Sequence, residues 1–201
     1  DFQTQDATLP EMMERLAKIP LLAHPGTQWN YSVATDVLGA LVETISGTPF
    51  DRFLKDRITD PLGMRDTGFH VPADKLGRLV SVYRTDPKDK TKLTFFDDAR
   101  DSRWSRPPAF ESGGGGLVST VDDYLAFQHM LLNKGRHRGE RILSRPSVEL
   151  MMTDQLTPAQ KQGAELFFST SASWGLGGAV ITRRTDLWTT PGRYGWDGGY
   201  G

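Results

Sequence analysis

Apolar residues recur on one helical face in the first quarter of the chain. They lie at Val33, Val37, Leu38, Leu41, Val42 and Ile45. This spacing follows the 3.6-residue period of an α-helix, and Gly47 supplies a stop signal directly after it. The pattern predicts a helix from Val33 to Ile45.

A second helix is predicted immediately after the first. Its N-cap, first-turn proline and capping acid are supplied in order by Thr48, Pro49 and Asp51. Apolar positions follow at Phe50, Phe53, Leu54 and Ile58. We expect the helix to be broken by Asp60, Pro61 and Gly63.

Two further helices are indicated by their start signals. Thr120 and Asp123 form a capping box, and apolar residues continue the helical pattern as far as Gly135. A shorter helix opens at Ser144, with a proline two positions later, and runs through Met152.

Strand patterns are weaker and cluster in two places. Arg78–Tyr83 and Leu93–Phe96 flank a charged turn, as in a surface hairpin. Near the end of the chain, Gly175–Thr182 and Arg193–Tyr200 read as strands joined by a turn near Asp186. Their glycines indicate close approach of another group to the backbone. We therefore predict an α+β fold, with a helical lobe between residues 33 and 132 and part of an antiparallel sheet from Gly175 to Gly201.

Composition narrows the class of function. The 201 residues are 37% hydrophobic, and 24 Lys and Arg balance 25 Asp and Glu, so nothing favours a nucleic-acid partner. The most basic stretch, Lys134–Arg141, is interpreted as a solvated loop. No apolar run is long enough to span a membrane. The absence of cysteine leaves the compartment open, with the cytoplasm slightly preferred over the periplasm or secretion.

The sequence lacks several common catalytic and ligand-binding motifs. The four histidines are far apart and offer no metal-ligand spacing, and no G-x-S-x-G nucleophile elbow occurs. The glycine run in Glu111–Gly116 lacks the Lys and Ser/Thr of a phosphate-binding P-loop. It is either a flexible turn leading to a helix or a segment that contacts ligand directly.

Four segments taken in order resemble a known superfamily. They are HPGTQWNYSVATDVLG (24–39), PLGM (61–64), ESGGGGLVSTVDDYLAF (111–127) and GWDGGYG (195–201). Together they resemble the serine β-lactamase and penicillin-binding-protein superfamily, and most of all its esterase branch, the family VIII carboxylesterases. The resemblance spans nearly the whole chain and implies a β-lactamase/transpeptidase-like fold.

Two of the three motifs of that superfamily have counterparts here. Tyr31-Ser32-Val33 resembles the Tyr-x-Asn motif, and Trp196-Asp197-Gly198 resembles the W-x-G form of the Lys-Thr-Gly motif. No serine is followed three positions later by lysine, so the nucleophile motif is missing. Since the chain also starts at Asp1, we expect residues 1–201 to be the central and C-terminal portion of one domain, with the rest of that fold as its partner.

The resemblance implies roles for individual residues. Tyr31 would move a proton beside a lysine, because adjacent cations favour a phenolate; the alternative is an aromatic anchor beside Trp29. Val33 cannot donate the hydrogen bond that asparagine gives to an acylamino substrate. Trp196 replaces a carboxylate-binding lysine. Gly198 lines the strand, and the backbone N–H of Gly199 would stabilise the oxyanion.

These features predict a serine hydrolase, a carboxylesterase or β-lactamase-like enzyme that forms an acyl-enzyme on a serine outside this chain. The substrate would be a small ester or amide, and no metal or organic cofactor is implied. The alternative is a non-catalytic binding or scaffold protein of the same fold. In either case we expect the 201-residue chain alone to be inactive.

Overall fold

The computed structural model describes residues 7–168 and 170–199. Within these residues the α-helices are α1 (Leu9–Leu16), α2 (Ala34–Ser46), α3 (Phe50–Leu54), α4 (Asp60–Leu62), α5 (Val121–Leu132) and α6 (Arg145–Met151). The strands of the same residues are β1 (Val82–Thr85), β2 (Leu93–Asp97), β3 (Arg136–His137), β4 (Glu140–Arg141), β5 (Ala172–Trp174), β6 (Ala179–Ile181) and β7 (Tyr194–Gly195). The α+β fold is confirmed.

Three predicted helices, α2, α5 and α6, are confirmed, and the residues that begin or end them lie within one turn of the helix. Helix α2 follows Val33 and ends at Gly47, whose φ of 65° is a left-handed conformation that glycine tolerates best. The Thr120 hydroxyl accepts a hydrogen bond from the Asp123 amide at 3.3 Å and begins α5. Ser144 caps α6 in the same way. Side chains within one turn of the helix therefore define these helix starts.

The second predicted helix differs from expectation at both ends. Its first amide, that of Phe50, donates to the Glu43 carboxylate of α2 at 2.9 Å, so Thr48 and Asp51 do not cap it. The chain then winds through a π-helical turn, Lys55–Thr59, into α4 and ends at Gly63. The predicted break at Gly63 is confirmed, but Asp60 and Pro61 do not end the helix, because the π-helical turn just before Pro61 accommodates a residue that has no N–H to donate.

The helical lobe is built around one apolar core. Its fully or nearly buried members come from α4, α5 and α6 and the chain beside them: Leu62, Met64, Met130, Leu131 and Val148. Tyr194 of β7 packs against this core, which joins the C-terminal sheet to the helices. The sheet is therefore part of the same packed unit as the helical lobe.

Three small antiparallel sheets accompany the helices. Strands β1 and β2 form the predicted hairpin, although β1 begins at Val82, because residues 73–78 form a 3₁₀ helix. Strands β3 and β4 pair in the basic stretch, and β5, β6 and β7 form a three-stranded sheet in that order. The Asp186 carboxylate accepts hydrogen bonds from the amides of Trp188 and Thr189, both at 2.8 Å, and forms the predicted turn.

The predicted strand boundaries in the C-terminal sheet need correction. Gly175 to Gly178 form the turn between β5 and β6, not a strand interior. A Cβ on Gly175 would lie 2.1 Å from the Met151 carbonyl oxygen, so close approach does explain this glycine. Strand β7 is also shorter than the predicted Arg193–Tyr200, and Tyr200 and Gly201 lie outside the described residues.

Two helices have apolar side chains that the described chain leaves exposed. On α2 they are Val37, Leu38, Leu41 and Ile45, and on α5 they are Val121, Tyr124, Leu125 and Leu132. These side chains form apolar surfaces on both helices. Among the described residues, no helix has the length and hydropathy needed to cross a bilayer.

Candidate active site

Tyr31 and Trp196, the aromatic residues of the two motifs, lie side by side. Their ring centroids are 5.7 Å apart, although they come from opposite ends of the described chain. Tyr31 precedes α2 and is 63% exposed, and Trp196 follows β7 and is 40% exposed. The structure thus brings the tyrosine and tryptophan of the two motifs to one exposed surface.

Phe167 completes a triangle of rings with these two residues. It stacks on Tyr31 with centroids 5.3 Å apart and planes inclined by 18°, and its ring is 5.9 Å from that of Trp196. Phe167 was missed in the sequence because it belongs to neither motif. The adjacent aromatic pair at 167 and 168 was the available signal. We name Tyr31, Phe167 and Trp196 the aromatic wall.

A deeper group of aromatic rings supports this wall from below. Trp29 contacts the buried Phe168 edge-on at 4.7 Å and the ring of Trp174 at 5.2 Å. Trp174 in turn packs edge-on against Trp196 at 4.9 Å. Aromatic pairs at such separations are favourable beyond their buried area. Trp29 lies within this group, and Tyr31, whose ring centroid is 6.2 Å from that of Trp29, lies at its more exposed edge.

The remaining predicted site residues lie on the segments that carry the motifs. Gly198 and Gly199 are exposed, and a Cβ on either would have no neighbour within 4 Å. The open space leaves room for a substrate near this backbone. Val33 occupies the N-cap position of α2 and is half-buried, without a polar side-chain atom to contact a ligand.

The glycine run docks on the start of α2. Buried Asp36 accepts hydrogen bonds from the Ser112 hydroxyl at 2.6 Å and the Gly114 amide at 3.3 Å. A Cβ on Gly113 would lie only 2.3 Å from the Thr35 carbonyl oxygen. Residues 113–115 of the run form a turn ahead of α5, and this turn is packed against the start of the helix that follows Tyr31.

Residues 153–168, which we name the bridge, connect the sheet to the loop bearing Tyr31. Asp154 accepts hydrogen bonds from the Ser173 hydroxyl of β5 and from Lys161. The Gln155 amide donates to the Trp174 carbonyl at 2.9 Å. Desolvation raises the pKa of the Asp154 carboxyl, but the hydrogen bonds from Lys161 and Ser173 outweigh it and hold that pKa below its usual value.

Potential metal ligands do not gather in this region. Within residues 7–168 and 170–199, no three His, Asp or Glu side chains come together as a metal-binding group. The chemistry available on the described surface is that of a phenol, backbone amides and aromatic rings.

Comparison with known proteins identifies the family. The beta-lactamase family model matches residues 1–201. The chain belongs to the beta-lactamase family. It is 40% identical over 193 residues to Protein Rv1367c of Mycobacterium tuberculosis, a match that covers 92% of this chain and 47% of the relative. It is 35% identical over 143 residues to Esterase EstB of Burkholderia gladioli, covering 65% of this chain and 36% of EstB.

Solved structures of this family share the architecture. EstCE1, a hydrolase with promiscuous acyltransferase activity, superposes with a TM-score of 0.70 at 27% identity and covers 88% of this chain and 46% of EstCE1. The β-lactamase/transpeptidase-like fold and the relationship to esterases are thereby established. The chain spans about half the length or less of these family members.

Proposed function

We propose that the protein containing this chain hydrolyses small esters through an acyl-enzyme formed on a serine outside residues 1–201. In this proposal the chain is the central and C-terminal portion of one catalytic domain. The exposed apolar faces of α2 and α5 support packing of the remaining portion against them. The observation that carries the function is the contact of Tyr31 with Trp196 beside an open glycine backbone.

The proposed chemistry assigns proton transfer to Tyr31. The serine oxygen attacks the ester carbonyl carbon, and a lysine outside the chain together with Tyr31 takes the serine proton and delivers it to the departing alcohol. Water then attacks the acyl carbon, the bond from that carbon to the serine oxygen breaks, and the lysine and Tyr31 pass the proton of water to the serine oxygen as the acid is released. The Gly199 N–H stabilises the oxyanion of each tetrahedral intermediate. A preorganised donor of this kind contributes about 3 kcal/mol to transition-state stabilisation.

Selectivity in the proposal comes from the contacts that Val33 and Trp196 cannot make. Val33 has no donor for an acylamino group, and Trp196 has no charge for a carboxylate. The aromatic wall instead favours neutral, apolar acyl groups. An ester is therefore a better substrate than a β-lactam or a peptide. The esterase relatives also favour an enzyme over the non-catalytic alternative.

The experiment compares two substrates, and two tyrosine-to-phenylalanine variants, in the full-length protein. We expect hydrolysis of short-chain p-nitrophenyl esters to exceed that of a chromogenic cephalosporin. Tyr31→Phe should lower kcat by roughly 10²- to 10⁴-fold, the usual loss for a general acid or base, with KM little changed. Tyr83→Phe, which alters an exposed tyrosine in the β1–β2 hairpin, is the matched control and should retain activity.

Three outcomes would contradict the proposal. Preference for the cephalosporin would refute the assignment of selectivity to Val33 and Trp196. Equal activity of Tyr31→Phe and Tyr83→Phe would refute the role of Tyr31. Ester hydrolysis by residues 1–201 alone would place the nucleophile among this chain's own serines.

A further inference from the structure

The position of Tyr31 is not determined by burial of its own side chain. Its ring is 63% exposed, and it lies in irregular backbone just before α2. Residues 21–33 form neither helix nor strand, so no regular hydrogen-bond ladder holds this loop. A proton-transferring phenol must nevertheless be held within about an ångström of its working position. Contacts from elsewhere in the fold must provide that restraint.

Gln160 of the bridge contacts this loop at two points. Its backbone carbonyl accepts a hydrogen bond from the Trp29 amide at 2.9 Å. Its side-chain Nε2 donates to the Gly26 carbonyl oxygen at 2.8 Å. These two bonds attach to the loop three residues apart, at Gly26 and at Trp29, so they fix both the place and the direction of the chain that leads to Tyr31.

The Gln160 side chain is itself held in one orientation. Its Oε1 accepts hydrogen bonds from the amide of Thr157 at 2.8 Å and from the Thr157 hydroxyl at 3.0 Å. The amide oxygen faces the Thr157 N–H, and the amide nitrogen faces the Gly26 carbonyl. Rotating the amide group by 180° would place its NH₂ against the Thr157 N–H and its oxygen against the Gly26 carbonyl, and neither pair can form a hydrogen bond. The oxygen and the nitrogen of the Gln160 amide therefore both have hydrogen-bond partners in this one orientation.

The bridge transmits this restraint to the sheet. Asp154 and Gln155 bind β5, the strand that bears Trp174, and Trp174 packs against Trp196. Phe167, at the other end of the bridge, stacks on Tyr31. The bridge consequently contacts both members of the Tyr31–Trp196 pair, and Gln160 is its polar contact with the loop.

We propose that Gln160 is a positioning residue for ester cleavage, holding Tyr31 at its working distance from the substrate bound beside Trp196. This inference rests on the proposed function. Gln160 does not touch the reacting atoms, so it acts only through Tyr31. Its removal should lower kcat much more than it changes KM, since the aromatic wall remains to bind the substrate.

The test is a double-mutant cycle in the full-length protein. Gln160→Glu keeps an oxygen for Thr157 but replaces the donor to Gly26 with a second oxygen, which repels the carbonyl. We expect about a tenfold loss of kcat, within the range for displacement of a catalytic group. In the Tyr31→Phe background the same substitution should change kcat less than twofold, because effects that act through one group are not additive.

Two further variants make the result specific. Gln162→Glu places the same charge two residues away on an exposed side chain and should leave kcat unchanged. Gln160→Ala removes the clamp without adding charge and should reproduce the loss, which keeps the test valid if Gln160→Glu does not fold. Amide hydrogen exchange at Trp29 should be faster in Gln160→Glu than in Gln162→Glu.

The outcomes separate this inference from the proposed function. An inert wild-type protein would overturn the proposed function, and the positioning role with it. An active wild-type protein, impaired by Tyr31→Phe but not by either Gln160 variant, would overturn the positioning role alone. Equal losses in the Tyr31 and Tyr31→Phe backgrounds would assign Gln160 a merely structural role and also overturn the proposal.

Discussion

Two aspartates, Asp36 in α2 and Asp154 in the bridge, anchor segments that adjoin the loop of Tyr31, and their surroundings differ. Asp36 is 4% exposed and binds the Ser112 hydroxyl and the Gly114 amide, with no cation among its hydrogen-bond partners in the described chain. Asp154 has a side chain that is 32% exposed, and it combines a serine hydroxyl with an ion pair to Lys161 at 2.8 Å. The buried anchor holds helix to loop, and the exposed anchor holds the bridge to the sheet.

The difference teaches how burial changes the role of the same side chain. Removing the buried Asp36 carboxylate leaves the half-buried Ser112 hydroxyl without its acceptor, so the cost falls on that donor. At Asp154 the ion pair with Lys161 is partly screened by water, whereas the fully buried Ser173 hydroxyl still requires an acceptor at this position. We therefore expect Asp36 to matter most for stability, whereas Asp154 should confer sensitivity to pH and salt.

The largest loss of stability is expected from Asp36→Ala. It removes the acceptor of the Ser112 hydroxyl and leaves the Gly114 amide only its 3.2 Å hydrogen bond to the Ser112 oxygen, which should lower the free energy of unfolding by about 3 kcal/mol. Urea denaturation of the purified protein measures this loss. Asp122→Ala, an exposed aspartate in the first turn of α5, is the control and should cost well under 1 kcal/mol. Equal losses in the two variants would contradict the anchoring role of Asp36.

A smaller loss of stability is expected when Gly113, the residue between the two partners of Asp36, is changed. Gly113→Ala would bring a Cβ to 2.3 Å from the Thr35 carbonyl oxygen, so the backbone must shift at a cost of about 2 kcal/mol. Gly115→Ala is a matched control two residues away, where a Cβ has no neighbour within 4 Å, and it should change stability by less than about 0.5 kcal/mol. Thermal unfolding of both variants measures the difference. Equal unfolding temperatures would mean that the run is not packed against α2.

The smallest loss of stability should come from Asp154→Asn. We expect it to lower the free energy of unfolding by about 1 kcal/mol at neutral pH, because the amide oxygen can still accept a hydrogen bond from Ser173. The pKa of Asp154 is lowered in the folded protein, so its contribution to stability is present above the unfolded pKa of about 4 and is lost as pH falls through the folded pKa. The difference in unfolding free energy between wild type and variant should therefore shrink from pH 7 to pH 3.

Urea denaturation at several pH values checks this dependence. Asp101→Asn, at an exposed position in a 3₁₀ turn, serves as the control. High salt should also reduce the difference between wild type and Asp154→Asn by screening the pair with Lys161. A difference that stays constant with pH and salt would contradict an electrostatic role for Asp154.

The local elements of this fold were predictable from the sequence because their causes lie within a few residues. The period of α2, the stop at Gly47 and the caps at Thr120 and Ser144 are interactions inside one or two helical turns. The motifs around Tyr31 and Trp196 were likewise recognisable from contiguous residues. The same local reasoning failed for the helix at Phe50, whose capping carboxylate comes from Glu43 of the preceding helix.

The sequence by itself therefore determined where the helices α2, α5 and α6 begin, and which aromatic residues belong to the two motifs. Only the tertiary structure decided that Phe167 stacks on Tyr31, that Gln160 binds the loop before it, and that the glycine run is packed against Thr35. These contacts join segments far apart in the chain, so they produce no periodic pattern and no local cap. Their geometry depends on how the bridge, the sheet and α2 pack together, and that packing is set by the whole fold.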